Sequence, residues 1–209
     1  MRRIGISQRV ENLEDRQERR DCLDQAWTTL LFQNRFIPIP LPNLWNRDHS
    51  IIEEFGLDGI ILTGGNDLSS VKVGKNIAPE RDEFESYLIE HAIRIKLPLL
   101  GVCRGMQLIA NHFSSQIMPL ENHIGRHIIQ VTDTEFITGS SKKIEVNSFH
   151  NFAIKSIPED FMICARSEDG SVEAMRHLNL PIYAIMWHPE RVPTLTINDN
   201  ILKRVFGGN

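Results

Sequence analysis

The chain has 209 residues, which is enough to bury a substantial core and fits one domain over residues 1–209 better than two small ones. Its formal net charge of −4, with both signs spread along the chain, disfavours nucleic acid and membrane surfaces as partners. No apolar stretch has the length of a signal peptide or a membrane span, and Cys22, Cys103 and Cys164 are too few for a disulfide scaffold. We therefore expect a cytoplasmic protein with reduced thiols.

The first half of the chain alternates predicted strands and helices. RRIGIS is predicted as a strand, and residues 15–34 as a helix, because apolar residues from Cys22 to Leu31 recur at helical spacing. The prolines of FIPIPLPN favour an extended segment at a sheet edge. Further elements follow in the order strand, helix, strand: GLDGIILTGG, the Pro79-initiated segment 78–96, and LPLLGV.

The second half favours antiparallel strands. HIIQV and KKIEVNSF are predicted strands, and Asp169-Gly170 predicts a hairpin turn within residues 161–176. PIYAIMW is another buried strand, and a closing helix is expected from a cap at Asn198 or Asp199. The pattern predicts an α/β fold with a mostly parallel central sheet and an antiparallel extension. Ligands bind such sheets beyond the carboxyl ends of the strands.

The segment GVCRG, residues 101–105, has the glycine spacing of a nucleophile elbow around Cys103. Small flanking residues permit a strained strand-to-helix turn that exposes the central side chain. The amino end of the following helix and the nearby Arg104 would both favour the thiolate. The spacing alone leaves open a buried, unreactive cysteine, so a base is needed to decide.

The segment MWHPER supplies a base in His188, directly after a buried strand, with Glu190 two residues later. An imidazole can take the thiol proton, and a carboxylate on its other nitrogen would fix its tautomer and orientation. The backbone N–H of Arg104 is one natural donor to a developing oxyanion. A second donor is expected from the glycine pair Gly64-Gly65, which also suits a simple turn.

Five blocks in order, ILTGGND, RDEFESYLIEHAI, LPLLGVCRGMQLIAN, VNSFHN and MWHPE, resemble the class I glutamine amidotransferase-like superfamily and, within it, the γ-glutamyl hydrolase group. The resemblance implies a three-layer fold, a triad of Cys103, His188 and Glu190, and an oxyanion hole from Gly65 and Arg104. It also implies that Gln107 holds the α-amino acid end of a γ-glutamyl group, with His150 near the pocket. Further candidates, each of which also suits a turn, surface or strand-end role, are Asn66, Arg126 and Asn147.

Two segments depart from the family pattern. ANHFSS stands where many relatives have an aromatic residue and a double glycine, and FHNFAI where a double histidine is common. Both departures concern the loop beside the pocket and hence the leaving group. The amino-terminal ERRDCLDQAW and PIPLPN are similar to members found with surface-carbohydrate and capsule synthesis.

The leading hypothesis is a γ-glutamyl amidohydrolase that acts on a small molecule and needs no metal or organic cofactor. The alternative is a glutaminase subunit that delivers ammonia to a synthetase partner; a homo-oligomer is also open. A third hypothesis is a metal-binding or regulatory protein using His123, His127, His150 and Cys103, although these ligands lack a recognisable tight spacing.

The arginines after the first strand bear on the leaving group. Arg9 is the nearest of them to the strand end, so it is expected at the same sheet edge as Cys103. A guanidinium group binds phosphate oxygens with charge and fixed geometry, which suits a γ-glutamyl group linked to a nucleotide diphosphate. The other arginines in this segment, Arg16, Arg19 and Arg20, are possible helpers or members of a solvated charge run.

Overall fold

The computed structural model describes residues 1–43, 51–71, 74–120, 123–137, 142–191 and 196–207. Its helices are α1 (Gln25–Gln33), α2 (Ile51–Glu54), α3 (Pro79–Ile95), α4 (Arg104–His112) and α5 (Thr196–Phe206). Its strands are β1 (Arg2–Ser7), β2 (Arg9–Leu13), β3 (Glu18–Cys22), β4 (Phe36–Leu41), β5 (Gly59–Leu62), β6 (Leu99–Val102), β7 (Ile117–Pro119), β8 (Ile124–Val131), β9 (Lys143–Phe149), β10 (Phe152–Ile154), β11 (Phe161–Ser167), β12 (Val172–His177) and β13 (Ile182–Ile185).

Nine of these strands form one central sheet in the order β4-β1-β5-β6-β13-β12-β11-β8-β9. The first five strands are mutually parallel, and the last four continue as antiparallel neighbours. The predicted parallel sheet with an antiparallel extension is therefore confirmed. The proline-containing β4 lies at the edge, where its missing N–H groups cost the sheet no internal hydrogen bonds.

Side-chain alternation along the strands builds a hydrophobic core on each face of the sheet. In β5, Ile61 packs with Trp27 and Phe206 on one face, whereas Ile60 and Leu62 join the core on the other face. The first core is covered by α1 and α5, and the second by α3 and α4. The result is three layers, with a sheet buried between helices.

The predicted helix over residues 15–34 is wrong in its first half. β2 and β3 form an antiparallel hairpin instead, closed by a short 3-10 helix, Glu14–Arg16, and by Gln17 in the left-handed region. Residues 14–21 are exposed and mostly charged, so they offer no apolar stripe to bury, and Glu11 pairs across the hairpin with Arg20. The helix begins only after Asp24, whose carboxylate accepts a hydrogen bond from the N–H of Ala26.

The closing helix is confirmed, but neither proposed cap residue precedes it. α5 begins at Thr196, so Asn198 and Asp199 lie in its first turn. Asn198 is fully buried, accepts a hydrogen bond from the indole N–H of Trp187 at 3.2 Å and donates one to the carbonyl of Pro189 at 3.2 Å. It thus anchors α5 to the segment after β13. In the described parts of the chain, no helix has the length and apolar character needed to cross a membrane.

Candidate active site

Cys103 occupies a strained turn between β6 and α4. Its φ of 54° and ψ of −106° lie in a region that non-glycine residues rarely adopt. The flanking glycines make the turn possible, because a Cβ at Gly105 would overlap the carbonyl oxygen of Leu62 and one at Gly101 would lie 2.7 Å from the Gly105 carbonyl. The predicted elbow context of strand, sharp turn and helix is present.

His188 and Glu190 reach Cys103 from the end of β13. The Nδ1 of His188 lies 2.8 Å from Glu190 Oε1, and both side chains are buried. On its other side the imidazole is hydrogen-bonded to the thiol of Cys103. A Cβ at Gly64 would lie 2.6 Å from His188 Cε1, so only glycine there leaves room for the ring in this position.

Asn147 fixes the backbone of His188. Its side-chain oxygen accepts the N–H of His188 at 2.8 Å, and its amide donates to the His188 carbonyl at 2.8 Å. Asn147 was expected among the substrate contacts; the structure uses both ends of its side chain to join β9 to the segment after β13. Its amide thus helps to orient the imidazole from behind.

Charge around His188 favours the imidazolium. Burial lowers the pKa of His188, but its hydrogen bonds and charge attraction to Cys103 and Glu190 outweigh burial and raise the pKa to about 9. The arrangement therefore suits a thiolate and imidazolium pair at neutral pH. Such a pair combines an activated nucleophile with a proton donor for a leaving group.

The loop after β5 is held by a buried arginine that the sequence did not single out as a site residue. Arg81 of α3 donates to the carbonyls of Thr63 at 2.8 Å and Gly65 at 2.6 Å, and pairs with Glu85 at 2.8 Å. Gly65 has a φ of +82°, which glycine adopts without strain. The predicted second oxyanion donor therefore lies on a loop that is braced from below.

The side chain of Arg104 does not serve the thiolate as expected. Its guanidinium group is buried and pairs with Glu85 and Asp82 of α3. Two carboxylates balance its charge, which a buried guanidinium requires. What remains available to Cys103 is the backbone: Arg104 opens α4, where helical N–H groups lack carbonyl partners within the helix.

A cavity of about 170 Å³ lies beside Cys103 and contains most of the remaining candidates. Gln107 lines it and donates from Nε2 to the carbonyl of Phe152 at 3.1 Å. His150 also lines it, although its Nδ1 lies 3.1 Å from the same carbonyl. Asn66 borders the cavity with a φ of 60°, and its side chain exchanges two hydrogen bonds with the backbone of Val10.

A smaller cavity of about 40 Å³ lies on the other side of Gly65, and Arg9 and Arg191 both line it with His188. Arg9 lies across Gly65 and pairs with Glu11, and half of its side chain is exposed. Arg191 was not predicted; its guanidinium lies 4.6 Å from the ring centre of Phe149. Position next to Glu190 was the available signal for it.

The other arginines lie elsewhere. Arg126 is 66% exposed and pairs with Glu145 across β8 and β9 at 3.3 Å, so its assignment to the substrate pocket is not supported by its position. Its long charged side chain is solvated rather than buried in either cavity. The remaining arginines pair with acidic neighbours: Arg16 with Asp15, Arg19 with Glu80 and Arg20 with Glu18.

The histidines of the metal-binding hypothesis come together without Cys103. His123, His127 and His150 surround Glu173, whereas Cys103 is paired with His188. The proposed four-ligand set is therefore not assembled as the sequence hypothesis had it.

The three thiols should differ in reactivity. Burial and then Glu11 raise the pKa of Cys22, and burial and then Asp133 raise that of Cys164, so both remain protonated at neutral pH. We expect iodoacetamide to modify Cys103 at least about tenfold faster than Cys22, although Cys22 is more exposed. Peptide mapping by mass spectrometry measures this, with Cys103→Ser as control; preferential labelling of Cys22 or Cys164 would contradict it.

Comparison with known proteins places the chain among glutamine amidotransferase-like proteins. It is 40% identical over 97% of its length to 96% of the γ-glutamyl-CDP-amidate hydrolase of Campylobacter jejuni subsp. jejuni serotype O:2. It is also 36% identical over 63% of its length to 65% of a subunit of the glutamine-hydrolysing GMP synthase of Thermococcus kodakarensis.

Solved structures agree on the fold. A GMP synthase subunit from Thermoplasma acidophilum matches with a TM-score of 0.74 and 25% identity, over 99% of this chain and 93% of that one. A glutamine amidotransferase from Thermotoga maritima matches with a TM-score of 0.73 over 99% and 98%, and at 14% identity it shows the fold alone. The sequence profile of Peptidase C26 matches residues 3–190, and the chain belongs to the Peptidase C26 family.

Proposed function

We propose that this chain is a cysteine-dependent hydrolase that cleaves the γ-glutamyl amide bond of γ-glutamyl-CDP-amidate and releases glutamate. The observation that carries the proposal is Cys103 in a strained strand-to-helix turn, hydrogen-bonded to a buried His188 and Glu190 pair. The substrate is suggested by the name of the Campylobacter jejuni relative, which is similar over nearly the whole chain.

In this mechanism Cys103, His188 and Glu190 act as a catalytic triad. The thiolate sulfur of Cys103 attacks the γ-carbonyl carbon, and the N–H groups of Gly65 and Arg104 stabilise the oxyanion. The imidazolium of His188 protonates the departing nitrogen, which leaves with the nucleotide, and a γ-glutamyl thioester remains. Neutral His188 then takes a proton from water, which attacks the thioester and frees glutamate.

The two cavities divide the substrate between them. Gly65 and the elbow lie at their junction, so the γ-carbonyl is placed there. The larger cavity, with Gln107 held by Phe152, takes the α-amino acid end of the glutamyl group. The smaller one, with Arg9 and Arg191, faces the leaving group, where two guanidinium groups suit a diphosphate.

Arg9 should select the nucleotide substrate. Arg9→Ala is expected to lower kcat/KM for γ-glutamyl-CDP-amidate by about ten- to a hundredfold, because one charge-assisted contact is lost, and to leave a small γ-glutamyl amide nearly unaffected. Steady-state kinetics on both substrates measure this. Arg20→Ala is the matched control, since Arg20 is a half-exposed arginine of the same hairpin that pairs with Glu18. Equal losses on both substrates would show that Arg9 does not contact the phosphates.

The pH dependence follows from the raised pKa of His188. Protonated His188 favours the folded state, and this contribution is complete below about pH 6.5 and is lost as the pH rises through about 9. We expect kcat/KM to fall above about pH 9, where the proton donor to the leaving nitrogen is lost. In Cys103→Ser, which lacks the thiolate, the pKa of His188 measured by NMR should drop. An unchanged pKa would contradict the ion pair.

A glutaminase that serves a synthetase remains the second candidate, and the similarity to the GMP synthase subunits favours it. The test is glutamate release from γ-glutamyl-CDP-amidate, a simple γ-glutamyl amide and glutamine, assayed side by side with the isolated chain. We expect the nucleotide amidate to be hydrolysed with much the highest kcat/KM. Efficient glutamine hydrolysis with ammonia release, and none of the amidate, would establish a glutaminase that serves a synthetase partner.

A further inference from the structure

A second group of titratable side chains lies behind the pocket, outside the proposed reaction. We call His123, His127, His150 and Glu173 the histidine–glutamate cluster. Glu173 belongs to β12, His127 to β8, His123 precedes β8, and His150 follows β9. All except His127 are more than nine-tenths buried. The cluster therefore joins three strands of the antiparallel extension at a buried carboxylate.

The atoms that face each other in the cluster lack partners. His123 Nδ1 and His150 Nε2 lie 3.7 Å and 3.6 Å from Glu173 Oε1, and His127 Nε2 lies 3.3 Å from Oε2. None of these five atoms has a hydrogen bond within the described residues, and all are shielded from solvent. Unsatisfied buried groups of this kind are rare, because each costs about 1–3 kcal/mol, so five in one place require an explanation.

The outer nitrogens indicate which atoms carry protons. His123 Nε2 lies 2.8 Å from Asp169 Oδ2, and His150 Nδ1 lies 3.1 Å from the carbonyl of Phe152. Because both partners are acceptors, each outer nitrogen must be the N–H donor. In the neutral rings, the inner nitrogens therefore present lone pairs to Glu173. Three acceptors face one another, and a cation or extra protons must lie between them.

The geometry favours a metal ion. Zinc binds imidazole nitrogen and carboxylate oxygen at about 2.0–2.2 Å, so neighbouring ligands of a tetrahedral site are separated by about 3.3–3.5 Å. The nitrogen-to-oxygen distances in the cluster are close to this separation. The inner atoms of His123, His150 and Glu173 all lie within 4.8 Å of one another. Asp169 behind His123 provides the outer carboxylate that usually orients a metal-binding histidine.

We propose that His123 Nδ1, His150 Nε2 and Glu173 bind one Zn²⁺ ion, with the fourth position filled by His127 or water. Two imidazoles with a carboxylate suit zinc better than the oxygen-seeking Mg²⁺ or Ca²⁺. The ion has no part in the cysteine chemistry. It cross-links β12 to both ends of the β8 and β9 pair and holds the segment after β9.

The site is mechanically connected to the pocket. The carbonyl of Phe152 accepts from both His150 and Gln107, at 3.1 Å each. Metal binding fixes the His150 tautomer that donates to this carbonyl. The ion would thus stiffen the wall on which Gln107 is oriented, in addition to stabilising the antiparallel strands.

The test is Zn²⁺ binding to the purified full chain after removal of metals with EDTA. Competition with a chromophoric chelator should give about one equivalent with a Kd of about 1 µM or tighter. Cys103→Ser must retain this binding, because the thiolate and His188 are the competing zinc site. Cobalt(II) bound to the same chain should show the visible absorption of a tetrahedral site without thiolate-to-cobalt charge transfer.

Variants away from the pocket locate the ion. Asp169→Asn should weaken Zn²⁺ binding by about 10- to 100-fold, whereas Glu168→Gln, its neighbour in the same turn, should not. Glu173→Gln should abolish binding; if it fails to fold, the Asp169 and Glu168 pair still decides. Absence of Zn²⁺ binding by wild type, its loss in Cys103→Ser, or equal affinities for the Asp169 and Glu168 variants would overturn the proposal. None of these readouts depends on the proposed γ-glutamyl activity.

Discussion

Replacing Cys103 by serine or alanine is expected to reduce glutamate release from γ-glutamyl-CDP-amidate by about 10⁴- to 10⁶-fold, the range typical for loss of a nucleophile. The elbow is built by Gly101, Gly105 and the backbone of Leu62, none of which depends on the thiol. We therefore expect both variants to fold. Steady-state kinetics measure the loss, and circular dichroism with thermal melting checks the fold.

The matched control is Cys164→Ser, which removes a second buried thiol on β11. It should cost stability, since Cys164 is fully buried in the core, and leave kcat near that of wild type. Substantial turnover by folded Cys103→Ser would contradict nucleophilic catalysis by Cys103.

His188→Ala should cost nearly as much as loss of Cys103, because groups that act as a unit are strongly non-additive. Glu190→Gln should cost less, since the amide keeps the shape of the side chain beside Nδ1 and weakens only the stabilisation of the imidazolium. Single-turnover acylation rates give the ranking.

The double variant Cys103→Ala with His188→Ala is the control for this ranking, and it should be little worse than either single variant. If Glu190→Gln matched wild type, the carboxylate would not orient His188. If the effects of Cys103 and His188 multiplied in the double variant, the two side chains would act independently.

The order of elements and the elbow could be predicted because their signals are local. GVCRG requires glycines at both ends of a tight turn, and the β-branched run before Gly64 suits a buried parallel strand. MWHPER placed His188 and Glu190 two residues apart, and the structure brings Nδ1 and Oε1 to 2.8 Å. These features depend on short stretches of chain and on one sheet edge.

Features that depend on distant partners could not be predicted. The charges of residues 14–21 suited a helix surface as well as the hairpin that forms. Arg81 lies 16 residues from Gly65, and its burial shows only once α3 packs under the loop. Asn147 meets His188 across 41 residues, so its bracing role has no local signal. The histidine–glutamate cluster likewise depends on the pairing of separate strands, which residue spacing does not encode.

The most direct test of the central claim is covalent capture with a γ-glutamyl diazomethyl ketone, which mimics the γ-carbonyl of the substrate and alkylates the attacking thiolate. We expect one adduct per chain, located at Cys103 by peptide mapping. The adduct should form in step with loss of hydrolysis and be prevented by excess γ-glutamyl-CDP-amidate. Complete inactivation with the adduct elsewhere, or full activity in protein whose Cys103 is alkylated, would contradict nucleophilic attack by Cys103.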